Sequence, residues 1–166
     1  FDVLPIGLRS KTGLDLRLKL YTVPGQVQHD STRKAVLSRA DGVIFVADSQ
    51  PAQQDNNANA FDNLADSLQK LGMDIESLPL VVQFNKRDVA GAVDEGELQE
   101  RWGATPWAPL SMASALNGVG VVESFRQLLH RLYPKLDAEF HLAELEGLRL
   151  EEFVRQLSCL DGASHA

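Results

Sequence analysis

Leu80-Val81-Val82-Gln83-Phe84, running directly into Asn85-Lys86-Arg87-Asp88, is the stretch from which the fold is read. A nearly continuous apolar run of this kind fits a strand covered on both faces, and such strands belong to parallel sheets. A second run, Gly42-Val43-Ile44-Phe45-Val46-Ala47, lies upstream. Between the two, Phe61, Leu64, Ala65, Leu68 and Leu71 recur at helical spacing, and Gly72 offers a C-terminal cap. Downstream, the pattern predicts a short helix over Val93–Trp102 and a weak strand near Pro109–Ala113. A further helix is carried by Val121, Val122, Phe125, Leu128, Leu129 and Leu132, which Pro134 should terminate. Toward the start of the chain, Leu14, Leu16, Leu18 and Leu20 alternate with Asp15, Arg17 and Lys19, the mark of a half-buried strand. With the apolar opening Phe1–Ile6 and the turn-rich Gly7–Gly13 this strand makes an antiparallel hairpin, Pro5 pointing to an edge or an early end. A hairpin followed by alternating strands and helices implies an α/β fold. Its sheet is open and mostly parallel, with one antiparallel edge hairpin, and ligands are expected at the carboxyl ends of the strands.

The chain's 166 residues suit one domain with a real core. Its single cysteine, Cys159, excludes an internal disulfide scaffold. The longest apolar runs fall far short of the roughly 20 residues that a membrane span requires. Sixteen Lys and Arg against 23 Asp and Glu leave a net charge of −7, which disfavours a surface for nucleic acid but not a pocket for one nucleotide. A cytoplasmic globular domain is expected. His29, His130, His141 and His165 show no metal-ligand spacing. Residues 137–160 read as helical, with Phe140, Leu145, Leu148, Phe153, Val154 and Leu157 as apolar members and Gly147 as a break; residues 161–166 read as a disordered tail. The opening Phe1-Asp2-Val3-Leu4, without initiator Met or basic leader, reads as the middle of a strand, so the chain is expected to begin partway through a larger protein.

Three stretches carry candidate chemistry. In Asn85-Lys86-Arg87-Asp88 the carboxylate of Asp88 can accept from the ring N1–H and the exocyclic amine of guanine, donors that adenine lacks. The Asn85 amide can reach another edge of the base or brace neighbouring loops, and the Lys86 stem can lie along the base plane. A polar loop after a strand is the plainer reading. In Tyr21-Thr22-Val23-Pro24-Gly25-Gln26, Gly25 allows close backbone approach to a terminal phosphate, and Gln26 can orient an attacking water. By itself this stretch is also a Pro-Gly turn. In Ala113-Ser114-Ala115-Leu116-Asn117-Gly118, a small-residue loop can offer backbone N–H to a guanine carbonyl, although alone it is an ordinary loop.

In this order and spacing the stretches resemble Ras-like GTPases, and more closely the bacterial MglA-like small GTPases of the gliding-motility type. The likeness runs through Leu20-Tyr-Thr-Val-Pro-Gly-Gln26, Ser31-Thr-Arg-Lys34, Asp41-Gly-Val-Ile-Phe-Val-Ala-Asp-Ser-Gln50 and Gln83-Phe-Asn-Lys-Arg-Asp88, covering residues 1 to 133. It implies a Ras-like P-loop NTPase fold and a GTP-binding molecular switch that hydrolyses GTP. It further implies GTP/GDP and Mg²⁺ as cofactors, a Roadblock-type activating partner, and a part in cell polarity or gliding motility. By it, Asn85, Lys86 and Asp88 bind guanine, and Ser114-Ala115 forms the base loop, with Ala115 donating its N–H. Gly25 faces the γ-phosphate and Gln26 is the catalytic residue that positions water. Ras-like proteins carry an Asp, a water-mediated Mg²⁺ ligand, where Thr22 stands; MglA-like proteins carry Thr. No residue of this chain is therefore assigned to the metal, Thr22 being at most a candidate for a water-mediated contact. Leu116 replaces the usual Lys of the base loop.

No Gly-Lys pair occurs in the chain, so a G-x-x-x-x-G-K-[ST] phosphate loop is absent from it. The resemblance places that loop upstream of Phe1, together with the first strand, first helix, first switch and any arginine acting in cis. Residues 1–136 are then an incomplete small GTPase domain and residues 137–160 a C-terminal helical extension. Without the phosphate grip, this chain alone is expected to hydrolyse little or no GTP. The alternative is a pseudo-GTPase, a non-catalytic interaction or scaffold module on the same sheet.

Overall fold

The computed structural model describes residues 2–23 and 30–159. Val3–Arg9 (β1) and Asp15–Tyr21 (β2) form the expected antiparallel hairpin, in register from Val3 opposite Tyr21 to Arg9 opposite Asp15. β1 runs through Pro5 and Gly7, so the connection is shorter than the sequence suggests. It is closed by bonds between Ser10 and Leu14 and by Gly13, whose φ of 98° needs a residue without a Cβ. Asp30–Leu37 (α1) leads to Val43–Asp48 (β3). A 3-10 turn, Pro51–Gln53, opens Gln54–Lys70 (α2). Leu80–Asn85 (β4), Glu95–Trp102 (α3) and Ser111–Met112 (β5) follow, and then Val121–Phe140 (α4), Leu142–Leu145 (α5) and Leu150–Ser158 (α6).

The parallel sheet has the order β3-β4-β5. β4 lies at its centre with five of its six residues buried, as its apolar run requires. Leu80, Val82 and Phe84 face a core completed by Phe61, Leu64 and Leu68 of α2 and Leu98 of α3. Phe61 anchors that core with edge-on rings from Phe45, Trp102 and Trp107 at 5.1, 5.1 and 4.7 Å. The hairpin is not hydrogen-bonded into this sheet. Its apolar face (Ile6, Leu8, Leu16, Leu18, Leu20) instead packs on a second core built by α4 and α6. β3 consequently has an open outer edge among the described residues. Val46 is 55% exposed, and only Ala47 of that strand is fully buried, against the expectation of cover on both faces.

Helix ends are where sequence and structure part most. α2 starts at Gln54, because Gln54–Ala60 is polar and contributes only Asn57 to the interior, which leaves no apolar stripe to read. Its end is as expected: Gly72, with φ of 74°, lets Met73 N–H reach back to Leu68 O. α3 is capped by Asp94, whose carboxylate accepts from Gly96 N–H at 2.8 Å. Pro134 does not terminate α4, which continues to Phe140. Proline there removes the bond to the His130 carbonyl, but both residues lie on the exposed face, where water can take that carbonyl. Burial of Leu132, Tyr133 and Leu136 on the opposite face offsets the loss. Beyond α4 the chain folds back: Gly147, at φ of 62°, splits α5 from α6 as its position suggests. Phe153, Val154 and Leu157 of α6 are buried against α4 and β1. Tyr133 hydroxyl donates to Leu148 O at 2.8 Å, and Arg126 Nε donates to Ser158 Oγ at 3.0 Å. Cys159 is exposed at the end of α6. None of the described helices is long and apolar enough to cross a membrane.

Candidate guanine-nucleotide site

The carboxyl ends of β3, β4 and β5 meet at one edge of the parallel sheet, and the sequence places a polar cluster at each. β4 delivers Asn85 at its last position, and Lys86 then turns the chain out with φ of 65°, a left-handed conformation that non-glycine residues seldom adopt. β5 runs through Ala113 into the loop Ser114–Val119. Backbone bonds lock the ends together: Ser49 N–H donates to Asn85 O at 3.0 Å, Ala113 N–H to Phe84 O at 2.9 Å, and Arg87 N–H to Ala113 O at 3.0 Å.

Side chains then join the two loops selected from the sequence. Asn85 Oδ1 accepts from Lys86 N–H at 2.8 Å and from Ala115 N–H at 2.9 Å, so this amide braces one loop against the other. The buried Ser114 hydroxyl donates to Asp88 Oδ1 at 2.5 Å, while Asp88 Oδ2 has no hydrogen-bond partner among the described residues. Asp88 thus presents an acceptor oxygen from a fixed orientation, the requirement for reading N1–H and an exocyclic amine. The Ala115 N–H, expected to serve a guanine carbonyl, is engaged by Asn85 and would have to be shared with a base. A cavity of about 350 Å³ adjoins these groups, lined by Arg87, Asp88, Glu95, Met112, Ala113, Ser114, Asn117 and Val119. A larger recess of about 530 Å³, lined by residues including Pro51, Asp55, Asp94 and Glu97, holds none of the residues selected from the sequence.

Lys86 shows a partner that sequence reasoning missed. Its ammonium pairs with Asp48 Oδ2 at 2.7 Å, across the ends of β3 and β4. Burial would raise the Asp48 carboxyl. The Lys86 hydrogen bond, Gln50 N–H and the Lys86 charge together outweigh burial and hold it below the usual carboxylate range. The buried Asn57 side chain clasps the Asp48 backbone on both sides, accepting from its N–H at 3.0 Å and donating to its carbonyl at 2.8 Å. The only available signal was a carboxylate ending an apolar run.

Of the phosphate-facing residues only Thr22 is described, and it is not brought to this cluster. Thr22 follows β2, on the other sheet, where its hydroxyl accepts from Asp2 N–H at 3.0 Å. Gly25 and Gln26 lie outside the described residues, as do residues 161–166. The described residues include no cluster of three or more His, Cys, Asp or Glu able to hold a metal ion. The donor and acceptor set therefore suits a guanine base.

The α/β core with its parallel sheet is the architecture of the family that the comparisons show. The model of the ADP-ribosylation factor family matches residues 8–132, and the chain belongs to that family of small Ras-like GTPases. Within it the chain is MglA-like: it is 40% identical over 126 residues, 76% of its own length, to the mutual gliding-motility protein MglA of Myxococcus xanthus (strain DK1622). The matched part spans 64% of that relative.

Proposed function

We propose that the protein is a GTP-binding switch that hydrolyses GTP, with guanine read by Asp88, Asn85, Lys86 and the Ser114-Ala115 loop. The observation that carries this reading is the double link between the loops: Ser114 to Asp88 and Ala115 to Asn85. Asp88 accepts from the base, Asn85 holds the loops at fixed separation, and the Lys86 stem covers the base. Gly25 faces the γ-phosphate and Gln26 orients the attacking water. When bound, Mg²⁺ would neutralise charge on the phosphates, its ligands coming from outside the described residues. The open outer edge of β3 supports the finer reading that a further strand, with the phosphate loop after it, completes the sheet. On that reading residues 1–136 carry the switch domain and residues 137–160 are its C-terminal extension, whose α6 packs back on α4 and β1. Family membership extends the proposal to a Roadblock-type activating partner, a cytoplasmic setting and a part in cell polarity or gliding motility.

The test is nucleotide binding by the complete gene product. Preference for GDP over ADP is expected, and Asp88→Ala should remove it. Two hydrogen bonds to a charged acceptor, at about 1.5–3 kcal/mol each, amount to a loss of roughly 10²–10⁴-fold in guanine affinity. Equal binding of GDP and ADP by the wild type refutes the reading. Gln26→Ala should abolish hydrolysis without weakening GDP binding; an unchanged rate favours the non-catalytic module.

A further inference from the structure

Gln83 stands out as the one polar side chain in the apolar run Leu80–Phe84, and it is buried. An amide in such a place destabilises the fold unless it is fully bonded. Its alternation along β4 puts it on the α4 side of the sheet, opposite to Leu80, Val82 and Phe84. There its Nε2 donates to Ser124 Oγ at 2.6 Å. Ser124, in the first turn of α4, is wholly buried, and its hydroxyl donates to Gly120 O at 2.8 Å. Ser111 Oγ, at the start of β5, lies 2.5 Å from Ser124 Oγ. A hydroxyl has one proton and two lone pairs. With its proton given to Gly120, Ser124 Oγ must accept from both Gln83 and Ser111, so every bond in the node has a fixed direction and none is spare.

The node joins three pieces of chain whose continuations carry the whole candidate base site. Two residues after Gln83 is Asn85; three after Ser111 is Ser114; and Gly120 closes the loop that begins at Ser114. Gly120 is also pressed on the outlet of β5: at φ of 76°, a Cβ there would lie 2.0 Å from Met112 O. Apolar contacts alone would hold α4 against β4 yet tolerate sliding, whereas directional bonds fix the register of strand, strand and helix.

We infer that Gln83, Ser111 and Ser124 are positioning residues for base recognition, setting the separation of the Asn85–Asp88 loop from the Ser114–Ala115 loop. The inference rests on the guanine reading above. The test compares the complete gene product with the variant Gln83→Met, Ser111→Ala, Ser124→Ala, in which donors and acceptors leave together and no buried polar side chain of the node is orphaned. The readouts are GDP and IDP dissociation constants beside the urea midpoint. GDP affinity should fall about tenfold, the scale on which displaced supports act on a site. The preference for GDP over IDP, whose base lacks the exocyclic amine, should shrink while the urea midpoint holds. An unchanged preference overturns the inference. Should the triple variant lose its cooperative unfolding, Ser111→Ala alone decides: a loss of about threefold in GDP affinity supports the role and no loss overturns it. A wild-type protein that does not prefer GDP over ADP overturns the guanine reading itself, and this result is separate from either variant.

Discussion

Replacing Phe153 by alanine tests whether α6 is an integral part of the domain. The ring is 0% exposed, meets Tyr133 edge-on with centroids 5.3 Å apart, and sits among Leu132, Leu142 and Leu157. Emptying such a site costs about 3–5 kcal/mol, the sum of lost transfer energy and a cavity that neighbours only partly fill. A domain of this size has a total stability of about 5–15 kcal/mol, so the loss is a large fraction of the whole. With a urea slope of about 2 kcal/mol per molar, the midpoint should fall by about 1.5–2.5 M. Phe140→Ala is the matched control: the same atoms are removed from a side chain 44% exposed at the end of α4, and the expected change is under about 0.5 kcal/mol. The assay is urea unfolding followed by far-ultraviolet circular dichroism and tryptophan fluorescence, since Trp102 and Trp107 report the other core. Equal midpoints for the two variants would refute the docking of α6. A transition that splits, with fluorescence unchanged while helicity falls early, would show that α5 and α6 unfold as a separate unit.

Gly120→Ala should be severely destabilising, by about 2 kcal/mol or more, because a left-handed backbone and a 2.0 Å encounter with Met112 O combine; urea unfolding reads it, and a loss under about 0.5 kcal/mol contradicts the geometry. Asp48→Asn should cost no more than about 1 kcal/mol at neutral pH, since its partner Lys86 is half exposed. The Asp48 carboxyl is held below its ordinary value of 3.8, so the pair contributes fully above that pH and is lost as pH falls through the lowered value. The stability difference between wild type and variant should therefore be flat from pH 7 to about pH 5 and shrink below about pH 4; a difference that vanishes near pH 6 would contradict the pairing.

Much of the fold was legible because its signals are periodic. β2 alternates strictly, β4 is a continuous apolar run, and α4 repeats its stripe, so element type and order follow from burial alone. Helix ends were less legible where they depend on surroundings. Nothing local says that Gln54 opens a helix, and Pro134 reads as a stop until the exposed face that tolerates it is known. Half-burial of β3 was hidden for a different reason: an apolar run states what a strand can bury, not which neighbour is present to bury it. At the site, Asp88, Asn85 and Ser114 were found by motif, and the structure brings them together. The supports around them, Asp48 and the Gln83 node, escaped because they act through partners 38 and 41 positions away. The trace each left was a polar residue against an apolar run, Asp48 at the end of one and Gln83 inside the other.

The flank of β3, bare among the described residues, carries a handling consequence. Its Val43–Ala47 backbone offers a ladder of donors and acceptors with no lysine, proline or bulge to blunt it. Polypeptides of this sequence, concentrated in isolation, should pair flank to flank and self-associate through that template. The remedy lies in chemistry at Val46, whose side chain is open to solvent: a Val46→Lys gatekeeper should keep the material monodisperse at concentrations where the parent precipitates.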